Sequence, residues 1–91
     1  MAERRVVVRS AVGLHARPAA LFVRAATQSG VAVQIGKDGV DPVDARSILA
    51  VLSLDVRGGD EVFLRAEGDG AEAALDSLTT LLATDLDAAD G

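Results

Sequence analysis

The sequence predicts an α+β fold: a two-layer, open-faced β-sandwich in which a four-stranded antiparallel sheet carries three helices on one face. Three observations predict it. The strand-like stretches alternate apolar and polar residues rather than running continuously apolar, so the sheet has one wet face. The helix-like stretches repeat apolar residues at three- and four-residue steps. The elements follow one another as β-α-β-β-α-β-α, and helices gathered on one side of an antiparallel sheet are the simplest packing for that order. A chain of 91 residues has room for one core, so residues 1–91 are expected to form a single domain.

Each element has its own signal. Arg4 to Arg9 reads as a strand, because Val6, Val7 and Val8 are β-branched and lie between charges. Ser10 to Leu14 has no period and contains Gly13, so it is a loop. Helix signals begin at Ala16, and Pro18 falls in the first turn, where its missing N–H is not needed. Ala16, Ala19, Ala20, Val23 and Ala26, with Phe22 alongside, give one apolar stripe, and Gly30 stops the helix. Val31, Val33 and Ile35 alternate with polar or small residues and form a second strand. Asp38-Gly39 is the pair expected in a tight hairpin turn, and the return strand, Val40 to Val43, is placed at a sheet edge by Pro42.

Asp44 is a good N-cap for a short helix from about Ala45 to Leu52. Arg57-Gly58-Gly59-Asp60 is a turn, and Glu61 to Ala66 is a strand with Val62, Leu64 and Ala66 on one side. Asp69, with Glu72 at the capping-box position, is expected to cap the last helix. Ala71, Ala74, Leu75, Leu78, Leu81 and Leu82 form its buried stripe, and residues after about 85 are expected to fray.

Composition removes several classes of function. The chain has no cysteine, so disulfides and thiolate metal sites are excluded, and a reducing, cytoplasmic setting is compatible. The apolar runs are far too short to span a membrane, and the N-terminus carries no targeting pattern. A net charge of −5 argues against nucleic acid as a partner. The charge is uneven. Residues 1–24 hold five arginines (Arg4, Arg5, Arg9, Arg17 and Arg24) and one acid, whereas from Glu67 onward there are seven acids and no base. The basic end is where an acidic partner or a phosphate is expected.

That end contains His15, the single histidine, within Gly13-Leu14-His15-Ala16-Arg17-Pro18. With one histidine and no cysteine, His15 cannot belong to a His/Cys metal cluster, and no metal or organic cofactor is expected. Most lone histidines are surface or hydrogen-bonded residues. The position of this one, at the start of a helix, changes the odds. Free N–H groups and the positive end of the helix dipole would disfavour the imidazolium and leave a neutral, nucleophilic ring. The same groups would stabilise a phosphate on that ring, and Arg17 can add a charge-assisted hydrogen bond. A second stretch, Arg46-Ser47-Ile48-Leu49-Ala50-Val51-Leu52, has five consecutive apolar residues, more than one buried face of a short helix can use. Either the helix is wedged in the core, or some of Ile48, Leu49 and Leu52 form an exposed docking patch; the pattern gives both equal weight.

Gly13-Leu14-His15-Ala16-Arg17-Pro18, followed some thirty residues later by Ser47-Ile48-Leu49, resembles HPr, the histidine-containing phosphocarrier family of the bacterial phosphoenolpyruvate-dependent sugar phosphotransferase system. The resemblance spans essentially the whole chain and implies a strand order of 1-4-2-3. It implies that His15 takes phosphate on Nδ1 from phospho-Enzyme I and passes it to an Enzyme IIA domain. Arg17 would stabilise the phosphoryl group, and the backbone amides of Ala16 and Arg17 would bind its oxygens. Ala16, Arg17, Ala20, Arg24, Ile48, Leu49 and Leu52 would form the partner surface of a monomeric protein. Ser47 matches a serine that a dedicated HPr serine kinase/phosphorylase modifies in some relatives. Arg46 stands where many relatives carry lysine, and the hairpin before it is one residue longer than usual. Alternatives are a nitrogen-related or dihydroxyacetone phosphotransfer branch, or a binding module that phosphorylation switches.

Overall fold

A computed structural model describes residues 2–9, 13–14 and 16–84; the fraying expected after residue 85 lies outside them. The elements are β1 (Ala2–Val7), α1 (Ala16–Gln28), β2 (Val33–Lys37), β3 (Val40–Asp44), α2 (Ile48–Ser53), β4 (Glu61–Ala66) and α3 (Ala71–Ala83). All strand pairs are antiparallel, and the sheet order is β1-β4-β2-β3. Both the element order and the sheet order agree with the sequence reading.

β4 is the central strand. Ala2 to Val7 pair with Ala66 to Glu61 on one side, and Val33 to Lys37 pair with Ala66 to Val62 on the other. Val62, Leu64 and Ala66 face the helices and are buried. They meet Val33 and Ile35 of β2, Phe22 of α1, Val51 of α2, and Leu75, Leu78 and Leu82 of α3 in one core. Burying these side chains is the main force holding the two layers together. The first strand lies earlier than expected. β1 ends at Val7, and Val8 is buried just beyond it, with its N–H and C=O bonded to the turn before β4.

The α1 stripe is rotated from the expected one. Pro18, Ala19, Phe22 and Ala26 are buried, whereas Ala16 and Ala20 are exposed. Phe22 offers far more apolar area than an alanine, so it takes the centre of the buried face. The other aromatic, Phe63, sits on the open face of β4. It is nevertheless only 7% exposed. Its ring lies against Gly36, where a Cβ would come within 2.6 Å of Phe63 Cζ. The guanidinium carbons of Arg65 and Arg5 stand 4.6 and 5.6 Å from the ring centroid. The wet face is thus closed over its one aromatic by two arginines.

Two caps differ from expectation. Asp44 does not cap α2. Ala45 still belongs to the sheet network, donating its N–H to Val33 O, and α2 starts at Ile48. Ser47 is the N-cap, its hydroxyl accepting from Ala50 N, while Asp44 accepts from Arg46 N and Nε in the preceding turn. Asp69 does not cap α3 either. Gly70 occupies the N-cap in the left-handed region, at φ 82°, with no side-chain cap, and Glu72 reaches Arg4 instead of a capping box.

Among the described residues, Asp55 is the only non-glycine with positive φ, at 53°, one residue past the C-cap of α2. Glycine is the usual solution there. Asp55→Gly is expected to stabilise the protein by about 0.5–1 kcal/mol, the relief of left-handed strain less the entropy of a freer unfolded chain. Urea denaturation checks this: the midpoint rises with unchanged m-value.

The backbone N–H of Arg46, chiefly, and its side chain hold the Asp44 carboxyl below its ordinary value of 3.8. The folded value being the lower one, this contribution is present above about pH 4 and is lost as pH falls through the depressed folded value. Asp44→Ala should therefore flatten the acid limb of a stability-versus-pH curve below pH 4. The group is half exposed, so the effect is small.

Candidate functional site

The chain reaches the site through Gly13 and Leu14. Both are buried, and Leu14 donates its N–H to Val56 O at 2.9 Å. Gly13 has φ +75°, and a Cβ there would meet Val56 O at 2.2 Å and Arg57 Cα at 2.5 Å, so only glycine fits. His15 itself, the sequence-predicted phosphoryl acceptor, lies outside the described residues. Both of its neighbours are described: buried Leu14 before it and exposed Ala16, the first residue of α1, after it.

The first turn of α1 contains no acid and exposes Arg17. Pro18 is buried, which seats the helix start on the core. Proline has no N–H, so the amides of Ala16 and Arg17 are the two that this turn offers ahead of it. The turn is an electropositive, exposed helix start.

α2 packs against α1 and buries only part of its apolar run. Val51 is fully buried, while Ile48, Leu49 and Leu52 remain 36%, 78% and 37% exposed. Ala20 and Arg24 are exposed on α1. Leu21, at 37% exposure, joins them and was missed in the sequence. Its signal was there: it lies four residues after Arg17 and three before Arg24, on the helix face those arginines mark as outward. Ser47 is half-buried at the start of α2 and holds that helix start through its hydroxyl.

The basic end is less concentrated than the sequence suggested. Arg4 contacts Glu72 and Asp76 of α3 at 3.4 and 3.3 Å. Arg5 contacts Glu61 and Asp38 at 3.4 and 3.5 Å, and Glu3 at 3.9 Å. Strand pairing sets Glu61 beside β1 and the packing of α3 brings Glu72 and Asp76 to it, so the β1 arginines serve the sheet and the last helix. Two shallow clefts, lined in part by Arg46 and Arg65 and by Arg4 and Glu67, lie at the opposite end of the sheet from Gly13 and Leu14.

The antiparallel sheet with all its helices on one face, an exposed, acid-free helix start and a partly exposed apolar second helix define a small α+β protein of the open-faced sandwich class. The comparisons with known proteins agree. A family model described as "PTS HPr component phosphorylation site" matches residues 2–84. A phosphocarrier protein HPr from Streptomyces coelicolor is 56% identical over 87 residues, covering 96% of this chain and 94% of that one. A crystal structure of an HPr from Thermoanaerobacter tengcongensis superposes with a TM-score of 0.84 at 41% identity, covering 90% of this chain and 91% of that one. A crystal structure of Bacillus subtilis Crh, described as a swapped dimer, gives a TM-score of 0.72 at 41% identity, covering 94% of this chain and 98% of that one. The chain belongs to the HPr family of phosphotransferase-system phosphocarriers.

The Ser47 cap has a measurable consequence. Ser47→Ala should cost about 1 kcal/mol of stability. Leu49→Asp, on a side chain 78% exposed, should stay within about 0.5 kcal/mol of the parent. Equilibrium urea denaturation of the two variants measures both.

Proposed function

We propose that His15 accepts a phosphoryl group on Nδ1 from phospho-Enzyme I and delivers it to an Enzyme IIA domain of a sugar phosphotransferase system. The observation that carries the reading is the acid-free start of α1 immediately after His15, with exposed Arg17 in its first turn. In the transfer the Nδ1 lone pair attacks phosphorus and the bond to the donor nitrogen breaks, its electron pair staying with the donor. Delivery to Enzyme IIA repeats the step with His15 as the leaving nitrogen. The amides of Ala16 and Arg17 hold the phosphoryl oxygens, and the Arg17 guanidinium adds charge stabilisation. A carrier must release its cargo as readily as it takes it, so an open helix start suits it better than a closed pocket.

Docking falls to Ala16, Arg17, Ala20, Leu21 and Arg24 on α1 and to Ile48, Leu49 and Leu52 on α2. An apolar centre with arginines beside it suits partners that present an apolar patch within an acidic surface. Ser47 is a second, regulatory position. Phosphate there would set negative charge beside Ile48 and Leu49 and weaken docking of such partners. We place the protein in the cytoplasm, acting as a monomeric 91-residue domain.

Incubation with a cognate Enzyme I, Mg²⁺ and phosphoenolpyruvate should give an acid-labile adduct that His15→Ala abolishes. Arg17→Ala should slow its formation roughly 10- to 100-fold. Leu49→Asp should raise the KM for Enzyme I about tenfold. No adduct on the parent protein with a competent cognate Enzyme I would refute the reading.

A further inference from the structure

We infer that Asp60 is a positioning residue for the loop that carries His15, closing the turn on which both stems of that loop hang; this deepens the carrier reading and rests on it. One stem is Val8, just past β1. Val8 donates its N–H to Asp60 O and accepts from Gly59 N, both at 2.9 Å, so its backbone is fully committed to the turn. The other stem is Gly13–Leu14. Leu14 donates to Val56 O at 2.9 Å, and Gly13 leaves no room for a Cβ against Val56 and Arg57. A five-residue stretch, Val56 to Asp60, therefore holds the chain on both sides of residues 9–12 and immediately ahead of His15.

That stretch has little intrinsic rigidity. It contains Gly58-Gly59, both exposed, with Gly59 at φ +90°. Adjacent glycines leave a turn many accessible conformations unless something outside their backbone restricts it. The Asp60 side chain does this. Its Oδ2 accepts from Arg57 N at 2.9 Å while Asp60 N donates to Arg57 O at 3.0 Å, so the two ends of the turn are bonded reciprocally. Lys37, at the end of β2, ties the assembly to the sheet. Its Nζ donates to Asp55 O at 3.0 Å and lies 3.9 Å from Asp60 Oδ2. The path from Asp60 to the acceptor is short: carboxylate to Arg57 N–H, peptide to Val56 C=O, hydrogen bond to Leu14 N–H, and one peptide to His15.

The test compares Asp60→Ala with Asp60→Asn, which keeps an oxygen to accept from Arg57 N. The readouts are Leu14 amide exchange, the His15 ring titration by NMR, and phosphorylation kinetics with Enzyme I and phosphoenolpyruvate. Asp60→Ala should stay folded by circular dichroism and exchange its Leu14 amide about tenfold faster or more. It should shift the His15 titration midpoint, and lower the saturated phosphorylation rate about tenfold with little change in KM. Asp60→Asn should restore all of these. If Asp60→Ala does not fold, Lys37→Met, which releases the tether to Asp55 O, should move the same readouts in the same direction. Parental Leu14 exchange and His15 titration in a folded Asp60→Ala would overturn the inference. So would an Asp60→Asn that behaves like Asp60→Ala. Should Leu14 and His15 respond as expected while Enzyme I phosphorylates not even the parent, the carrier reading fails and the positioning role stands.

Discussion

β4 enters the sheet between β1 and β2, with Glu61 opposite Val7 and Val62 opposite Lys37. Its buried side chains, Val62, Leu64 and Ala66, anchor the helical layer, and its register decides what lies at each end of the sheet. Because β4 runs antiparallel to both neighbours, its first residues meet the last residues of β1 and β2. The turn leading into β4 is therefore placed beside the chain leaving β1, although about forty to fifty residues separate them in sequence. The contacts on the approach to His15 among the described residues follow: Val8 to Asp60 and Gly59, Leu14 to Val56, and Lys37 to Asp55. A one-residue slip of β4 would turn Phe63 into the core and Leu64 to solvent, and would dissolve those contacts.

The same register sorts the charges. It sets Arg5 beside Glu61 and Asp38, and the packing of α3 brings Glu72 and Asp76 to Arg4. These exposed pairs contribute little stability individually. Their consequence is spatial: the β1 arginines engage acids of the sheet and of α3, while Arg17 and Arg24 lie on the outer face of α1. Beside that face, α2 turns Val51 inward and leaves Leu49 outward. A phosphocarrier must bind several large partners briefly, and an apolar patch with charge beside it suits short-lived docking.

Much of this was legible in the sequence because the signals were local. Alternation in Glu61 to Ala66, Asp38-Gly39 at the hairpin, Pro42 on an edge strand and the α3 stripe each depend on neighbours a few residues away. Gly13-Leu14-His15-Ala16-Arg17-Pro18 carried the family and the strand order by resemblance. What the sequence hid depends on distant pairing. Asp44 and Asp69 are good capping residues, but Ala45 N–H was already committed to Val33 O, and the left-handed turn at Gly70 placed the cap one residue beyond Asp69. Alternation set Arg65 on the same face as Phe63, but nothing local showed that Arg5 would join it over the ring. Asp60 read as an ordinary turn residue, since its importance lies in what Val56 and Val8 touch. At the candidate site, the exposure of Ile48, Leu49 and Leu52 was legible as one of two alternatives, because a short helix cannot bury five consecutive apolar residues, whereas the exposure of Leu21 depends on how α1 is rotated against the core, which Phe22 decides.

The central claim concerns one nitrogen. A long-range ¹H–¹⁵N spectrum of the protein after Enzyme I and phosphoenolpyruvate treatment, set beside its ³¹P spectrum, reads that nitrogen directly. A carrier with His15 as acceptor should show a single phosphorus resonance in the phosphohistidine range and a large shift confined to His15 Nδ1, reversed when excess pyruvate lets the phosphoryl group return through Enzyme I. Phosphorus on Nε2, on Ser47 or on no residue at all, or an adduct that pyruvate cannot discharge, would contradict it.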